Sequence, residues 1–159
     1  MYGVAILTIS DRVSKKQRED KTGELIKEMV QHDVWELKAY DIVCDDLKTI
    51  KEKLIFYADE MAIDLVLTNG GTGFSSRDVT PEATKAVIER EVQGIPEVMR
   101  REGYKITPKA MFSRGVSGIR GKTLIINLPG SPRGAIESLE AVLDELPHGL
   151  DMIAGKDHE

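Results

Sequence analysis

The sequence predicts an α/β fold in which a sheet is covered by helices on both faces. Three observations predict it. Strand-sized apolar runs alternate along the chain with helical stretches that carry one apolar stripe. Several of those runs are continuously apolar, as expected of strands buried on both sides. Two of them run out into glycine- and proline-bearing loops that open a helix.

Taken in order, residues 4–9 (VAILTI) form the first strand, and residues 23–31 a helix with Leu25, Ile26, Met29 and Val30 on one stripe. Trp35–Val43 alternates apolar and polar residues and reads as a strand. Leu47, Ile50, Leu54, Ala58 and Met61 step by three and four, the period of one helix with a buried face. Residues 65–68 are a short buried strand. Residues 113–119 and 123–128 are two strands joined by a glycine-containing turn, and Ile136, Leu139, Leu143 and Leu146 mark one last long helix. Residues 93–112 mix glycine, proline and charge with short helical pieces, an excursion from the sheet. With no internal repeat, residues 1–159 are expected to form a single domain, with a polar, fraying tail at 155–159.

Composition narrows the function classes. The chain is 41% hydrophobic, enough for a core, and no apolar run is long enough to span a membrane. The start, Met1-Tyr2-Gly3-Val4, lacks a basic region and its apolar run stops at Ile9, so no signal peptide is expected. One cysteine, Cys44, rules out an intrachain disulfide framework and fits a cytoplasmic location. A net charge of -5 argues against nucleic-acid binding through a basic surface but leaves phosphorylated small molecules open.

Two loop-to-helix junctions carry the chemistry. After Leu67 comes Thr68-Asn69-Gly70-Gly71-Thr72-Gly73, and Thr80-Pro81-Glu82-Ala83 then opens a helix. After Leu128, Pro129-Gly130-Ser131-Pro132 opens the final one. Each places a hydroxyl residue at an expected N-cap with proline at the first helical position, where its missing N–H costs nothing. A helix N-terminus presents unpaired N–H donors to an anion, and glycines let backbone approach a phosphate. Ser/Thr-Pro alone is more often only a cap; three glycines beside Arg77-Asp78 favour a ligand.

Asp78, Asp45-Asp46 and Ser10-Asp11-Arg12 fall at the same carboxyl edge of the sheet. Carboxylates there would repel a phosphate unless a cation lay between them, and Mg²⁺ suits that donor chemistry. Singly, Asp11, Asp45 and Asp46 are better explained by capping and chain turns. Other signals are weak. Residues 71–76 lack the third glycine of a dinucleotide fingerprint. Residues 115–123 imitate a phosphate-binding loop with the wrong spacing and a strand after it. His32, His148 and His158 are not spaced as zinc ligands. Trp35 reads as core, and residues 12–21 as a charged loop with a secondary role over an anion.

Taken together, Ser10-Asp11-Arg12, Asp20-Lys21-Thr22-Gly23, Asp45-Asp46, the stretch from Thr68 to Gly73, the stretch from Arg77 to Ala83, Gly118-Ile119-Arg120-Gly121 and Leu128-Pro129-Gly130-Ser131-Pro132 resemble the MogA/MoaB family of molybdenum cofactor biosynthesis. The resemblance implies a three-layer sandwich with a central, mainly parallel sheet, assembling as a homo-trimer or homo-hexamer. It implies transfer of AMP from ATP to the terminal phosphate of molybdopterin, with Mg²⁺ required and pyrophosphate released. A molybdenum-insertion enzyme would take the product. Carried over, Asp45 and Asp78 are catalytic and bind Mg²⁺. Ser10, Asp11, Gly70, Gly71, Thr72, Gly73 and Ser131 bind substrate. Cys44 stands where proline commonly precedes the acidic pair, and Asn69 where a second threonine is common. A non-catalytic molybdopterin-binding or delivery protein of the same fold is the alternative. A flavodoxin-like electron carrier is disfavoured by an aromatic content of 5%.

Overall fold

The computed structural model describes residues 1–156. Six strands form one sheet: β1 (Tyr2–Ile9), β2 (Trp35–Val43), β3 (Leu65–Asn69), β4 (Arg90–Glu91), β5 (Ser117–Arg120) and β6 (Thr123–Leu128), in the spatial order β2-β1-β3-β6-β5-β4. The first four in that order are parallel, while β5 and β4 are added antiparallel. Around the sheet lie α1 (Asp11–Ser14), α2 (Lys21–Met29), α3 (Leu47–Ile55), α4 (Thr80–Val87), α5 (Gly94–Tyr104), α6 (Pro132–Val142) and α7 (Leu146–Ile153).

The period of two along β1 divides the interior. Val4 and Ile6 join Ile26 of α2, Met99 of α5, Leu139 of α6 and Leu146 of α7 in one core. Ala5, Leu7 and Ile9 join Ile50 and Leu54 of α3 and Ala83 and Val87 of α4 in the other. Both faces of the central strands are therefore dry, which is why their sequences do not alternate. Full burial of each such aliphatic side chain contributes about 1.5–3 kcal/mol.

Several expectations need correction. The helix expected over 47–61 keeps α-geometry only to Ile55; a wider turn, Phe56–Glu60, closes with Met61 N–H donating to the Phe56 carbonyl at 3.1 Å. The added residue per turn shifts the face, burying Tyr57, whose hydroxyl donates to Asp41 at 2.5 Å. The single last helix is two helices separated by the short turn Leu143–Glu145. Pro147 is the reason: inside a continuous helix its ring would clash with the Leu143 carbonyl, whereas in a first turn its missing N–H is harmless.

The strand expected from residue 113 begins only at Ser117, because the preceding residues bond elsewhere: Arg114 N–H donates to Thr72 O at 2.8 Å and Val116 N–H to the Asn127 side chain at 3.2 Å. The stretch 93–112, expected to stand off the sheet, contributes the eleven-residue α5 to one core layer. Of the expected tail, Gly155 and Lys156 still donate N–H bonds to Met152 and Asp151 carbonyls; residues 157–159 lie outside those described.

Candidate active site

Parallel strands β1, β3 and β6 end side by side, so their exits share one edge. Gly70 N–H donates to Leu128 O at 3.2 Å, tying the exit of β3 to that of β6. Gly70 (φ 98°) and Gly71 (φ 69°) take left-handed backbone that other residues adopt rarely. A Cβ on Gly70 would stand 2.2 Å from the Ile9 carbonyl oxygen, and one on Gly130 would stand 3.1 Å from Gly70 Cα. Three chain exits meet here only because side chains are absent.

Thr80 was expected to cap α4 and does not. It is the first helical residue, after Val79, and its buried hydroxyl donates to Gly70 O at 2.9 Å. Its N–H donates to Gly71 O at 3.1 Å, so Thr80 braces the glycine loop from below. Ser131 does cap its helix: Oγ accepts from Gly134 N–H at 3.1 Å, with Pro132 in the first turn. The Pro-Gly-Ser turn is held in place by Thr22, whose hydroxyl donates to Gly130 O at 2.8 Å. Ser10 caps α1, accepting from Val13 N–H at 3.3 Å.

A polar network lies beneath the loop. Asn69 donates to Thr8 Oγ1 at 2.9 Å, and Thr8 Oγ1 donates to Asp20 at 2.6 Å. The Tyr40 hydroxyl also donates to Asp20, and Asp20 in turn accepts from Gly23 N–H at 2.9 Å as the cap of α2. Asp46 caps α3 through Thr49, which explains one half of the acidic pair structurally. Asp45 points elsewhere: a Cβ on Gly71 would be 3.1 Å from its Oδ1. Asp78 approaches the far end of the loop, where a Cβ on Gly73 would be 2.9 Å from its Oδ2. Burial pushes the Asp45 carboxyl above the usual range, and the charges of Asp11 and Asp78 add to the rise. The Asp11 N–H and the Arg77 charge oppose it.

Two clefts adjoin along this edge. One, of about 770 Å³, is lined by Ser10, Asp45, Gly70, Gly71, Asp78 and Ser131, with the cations Arg18 and Lys21 on its rim. The other, of about 400 Å³, is lined by Gly71, Thr72, Gly73, Asp78 and Ser131, with Met99 and Phe112 on its apolar side. Gly71, Asp78, Gly130 and Ser131 are common to both. Eight of the nine residues expected at the site thus line a cleft. Asp11 lines neither.

Sequence reading missed Arg114. Its Nε donates to Gly73 O at 2.8 Å, Nη2 donates to Asp78 O at 2.8 Å, and Nη1 pairs with Glu82 at 2.8 Å. One side chain thereby spans both ends of the loop that presents Asp78. No periodicity or spacing could signal it, since its partners lie more than thirty positions away.

Residues 5–148 match the family model described as a probable molybdopterin binding domain. Over 154 residues the chain is 44% identical to the molybdopterin adenylyltransferase of Helicobacter pylori strain J99, covering 96% of this chain and 88% of that one. It is 40% identical over 144 residues to the Escherichia coli K12 molybdopterin adenylyltransferase, covering 89% and 73%. Among solved structures, the molybdopterin biosynthesis enzyme MoaB from Thermus thermophilus is similar with a TM-score of 0.93 and 50% identity over 100% of both chains. The match spans the sheet, both loop-to-helix junctions and both acidic positions, and the chain therefore belongs to the MogA/MoaB family of molybdopterin-binding, molybdenum cofactor biosynthesis proteins.

Proposed function

We propose that this chain is a molybdopterin adenylyltransferase. The observation that carries the reading is the wall common to two clefts, formed by Gly71, Asp78, Gly130 and Ser131. A reaction that joins two phosphate-bearing substrates needs such a wall, where the reacting phosphates meet while each organic part keeps its own cleft. Relatives named molybdopterin adenylyltransferase support the choice of substrates.

In this reaction a terminal phosphate oxygen of molybdopterin bonds to the α-phosphorus of ATP. The bond from that phosphorus to the bridging oxygen breaks, and pyrophosphate leaves with the electron pair. A phosphate monoester carries about -1.5 to -2 charges at neutral pH and needs no base to make it a nucleophile. The task left to the protein is to place two anions together and offset their repulsion. Backbone N–H groups of the glycine loop and of the α6 N-terminus offer donors without bringing a negative charge.

Asp45 and Asp78 would be anomalous in a site built for anions alone. Among the described residues, no group of three His, Cys, Asp or Glu side chains could hold a metal ion. Two carboxylates offering hard oxygens instead fit an Mg²⁺ that arrives on the nucleotide phosphates. Asp45 and Asp78 would hold it, and it would supply charge neutralisation at the transferring phosphate. Ser10 and the loop from Gly70 to Gly73 would contact substrate.

No described helix is long and apolar enough to cross a membrane. In this reading the protein works in the cytoplasm, as a homo-trimer or homo-hexamer, and passes its product to a molybdenum-insertion enzyme. Exposed Tyr104, Ile106, Met111 and Phe112 support a surface covered by assembly.

Mass spectrometry of the products from pure protein, molybdopterin and Mg-ATP tests the reading. Wild type is expected to yield adenylated pterin and pyrophosphate. Asp78→Asn should yield neither while still binding pterin, because it removes charge from the metal side of the wall. Pterin that stays bound but unmodified on wild-type protein would leave only a binding or delivery protein.

A further inference from the structure

Asp11 stands at the site edge without lining a cleft, and its contacts indicate a different task. Its backbone N–H donates to Asp45 Oδ2 at 3.0 Å, and the Asp45 N–H donates back to Asp11 Oδ1 at 3.0 Å. This reciprocal pair joins the start of α1 to the exit of β2. Two neighbouring carboxylates tend to force such a pair apart. Arg77 counters that: Nε donates to Asp11 Oδ2 at 3.0 Å and Nη2 to Asp11 Oδ1 at 3.0 Å. Both Asp11 oxygens are thereby engaged, leaving Asp11 poorly placed to receive a substrate. Asp45 keeps one oxygen, Oδ1, with no hydrogen bond among the described residues, and that oxygen faces Gly71 on the common wall. Arg77 also immediately precedes Asp78, so the same contact ties the acidic end of the glycine loop to the support of Asp45.

We infer that Asp11 and Arg77 are positioning residues: the two-pronged Arg77–Asp11 pair locks the reciprocal Asp11–Asp45 hydrogen bonds and so holds Asp45 Oδ1 against Gly71, where the two clefts meet. The competing role for an exposed arginine at this edge is direct contact with substrate phosphate. A planar guanidinium on both oxygens of one carboxylate is a geometry lysine cannot reproduce.

The activity arm of the test rests on the adenylyltransferase reading; a structural arm does not. In a double-mutant cycle, Arg77→Ala and Asp11→Ala should each lower kcat by about 100-fold, the scale of a small misplacement of a reacting group. KM for both substrates should move less than about threefold, as for interactions made only in the transition state. The double variant should be no worse than the weaker single variant, because both remove one device. Arg77→Lys should recover only part of the loss. Losses that multiply, or that fall on KM, would overturn the inference in favour of substrate contact. Should Asp11→Ala fail to fold, Arg77→Ala and Arg77→Lys, at an exposed loop position, decide through the same kcat-against-KM split. Should wild type prove inactive, the functional reading falls separately, and the crystal structure of Arg77→Ala decides. Loss of the reciprocal Asp11–Asp45 bonds is expected, and their full retention would refute the proposal.

Discussion

Gly70 illustrates how much of this site is backbone. Its φ of 98° and the 2.2 Å approach of a built Cβ to the Ile9 carbonyl oxygen leave no room for relaxation, since the obstacle is main chain. Strain of this kind costs about 1–3 kcal/mol before any clash is added. Gly70→Ala is therefore expected to lower stability by at least about 2 kcal/mol and to weaken substrate binding, read by thermal melting and calorimetry. An unchanged melting temperature would show that the loop can relax away from β1. That glycines here serve an approach was legible in the sequence, because three within four positions exceed what a turn needs. Which atom each one avoids was not, because that atom belongs to another strand. The same holds for the acids: the sequence brings Asp11, Asp45 and Asp78 to one edge. Only the packed chain separates an Asp11 turned onto Arg77, whose hydrogen bonds lower its carboxyl, from an Asp45 pushed up by burial.

Elements hold the site through a few long-range clasps. The Arg114–Glu82 pair joins the segment leading into β5 to the first turn of α4 and braces the loop between them. Hydrogen bonds from Arg114 hold the Glu82 carboxyl below its usual value. A depressed carboxylate stabilises the fold fully above its unfolded value of about 4.3, and that contribution is lost as pH falls through the lower folded value. Glu82 is half exposed, so the effect on global stability is small, within about 1 kcal/mol. Local geometry should report it more sharply. The Arg114 Nη–H resonances are expected to stay sharp at neutral pH and to broaden as pH falls through the depressed Glu82 value, and Glu82→Gln should lack that step. A resonance insensitive to pH in wild type would remove the clasp. Elements with a strong local period, such as β1, β2, β6 and α2, could be read from the chain to within two residues at each end. Those with a weak one could not. The two-residue β4 exists only as an antiparallel pairing with β5, and the turn at Phe56–Glu60 preserves an apolar pattern while changing its pitch.

At the scale of the whole molecule, one sheet separates two cores, and each central strand contributes to both. We propose that the chain unfolds as a single domain. Leu67→Ala, in the middle of β3 between Ile6 and Ile126, should cost about 2–5 kcal/mol. Trp35, buried at the edge of one core, should report the same transition by fluorescence as the helices do by circular dichroism. Two separated transitions would show that the layers unfold independently. The alternation of buried strand and amphipathic helix, the two glycine- and proline-marked junctions, and the acidic positions beside them are legible in the chain before it folds. These are written in local periodicity and in residue types with narrow backbone preferences. Tertiary structure alone decided that the junctions share one wall between two clefts, that Thr80 braces a loop instead of capping a helix, and that Arg77 and Arg114 hold the acids in place. Each of those contacts joins residues ten to about seventy positions apart, and they become neighbours only when parallel strands bring their carboxyl ends to one edge.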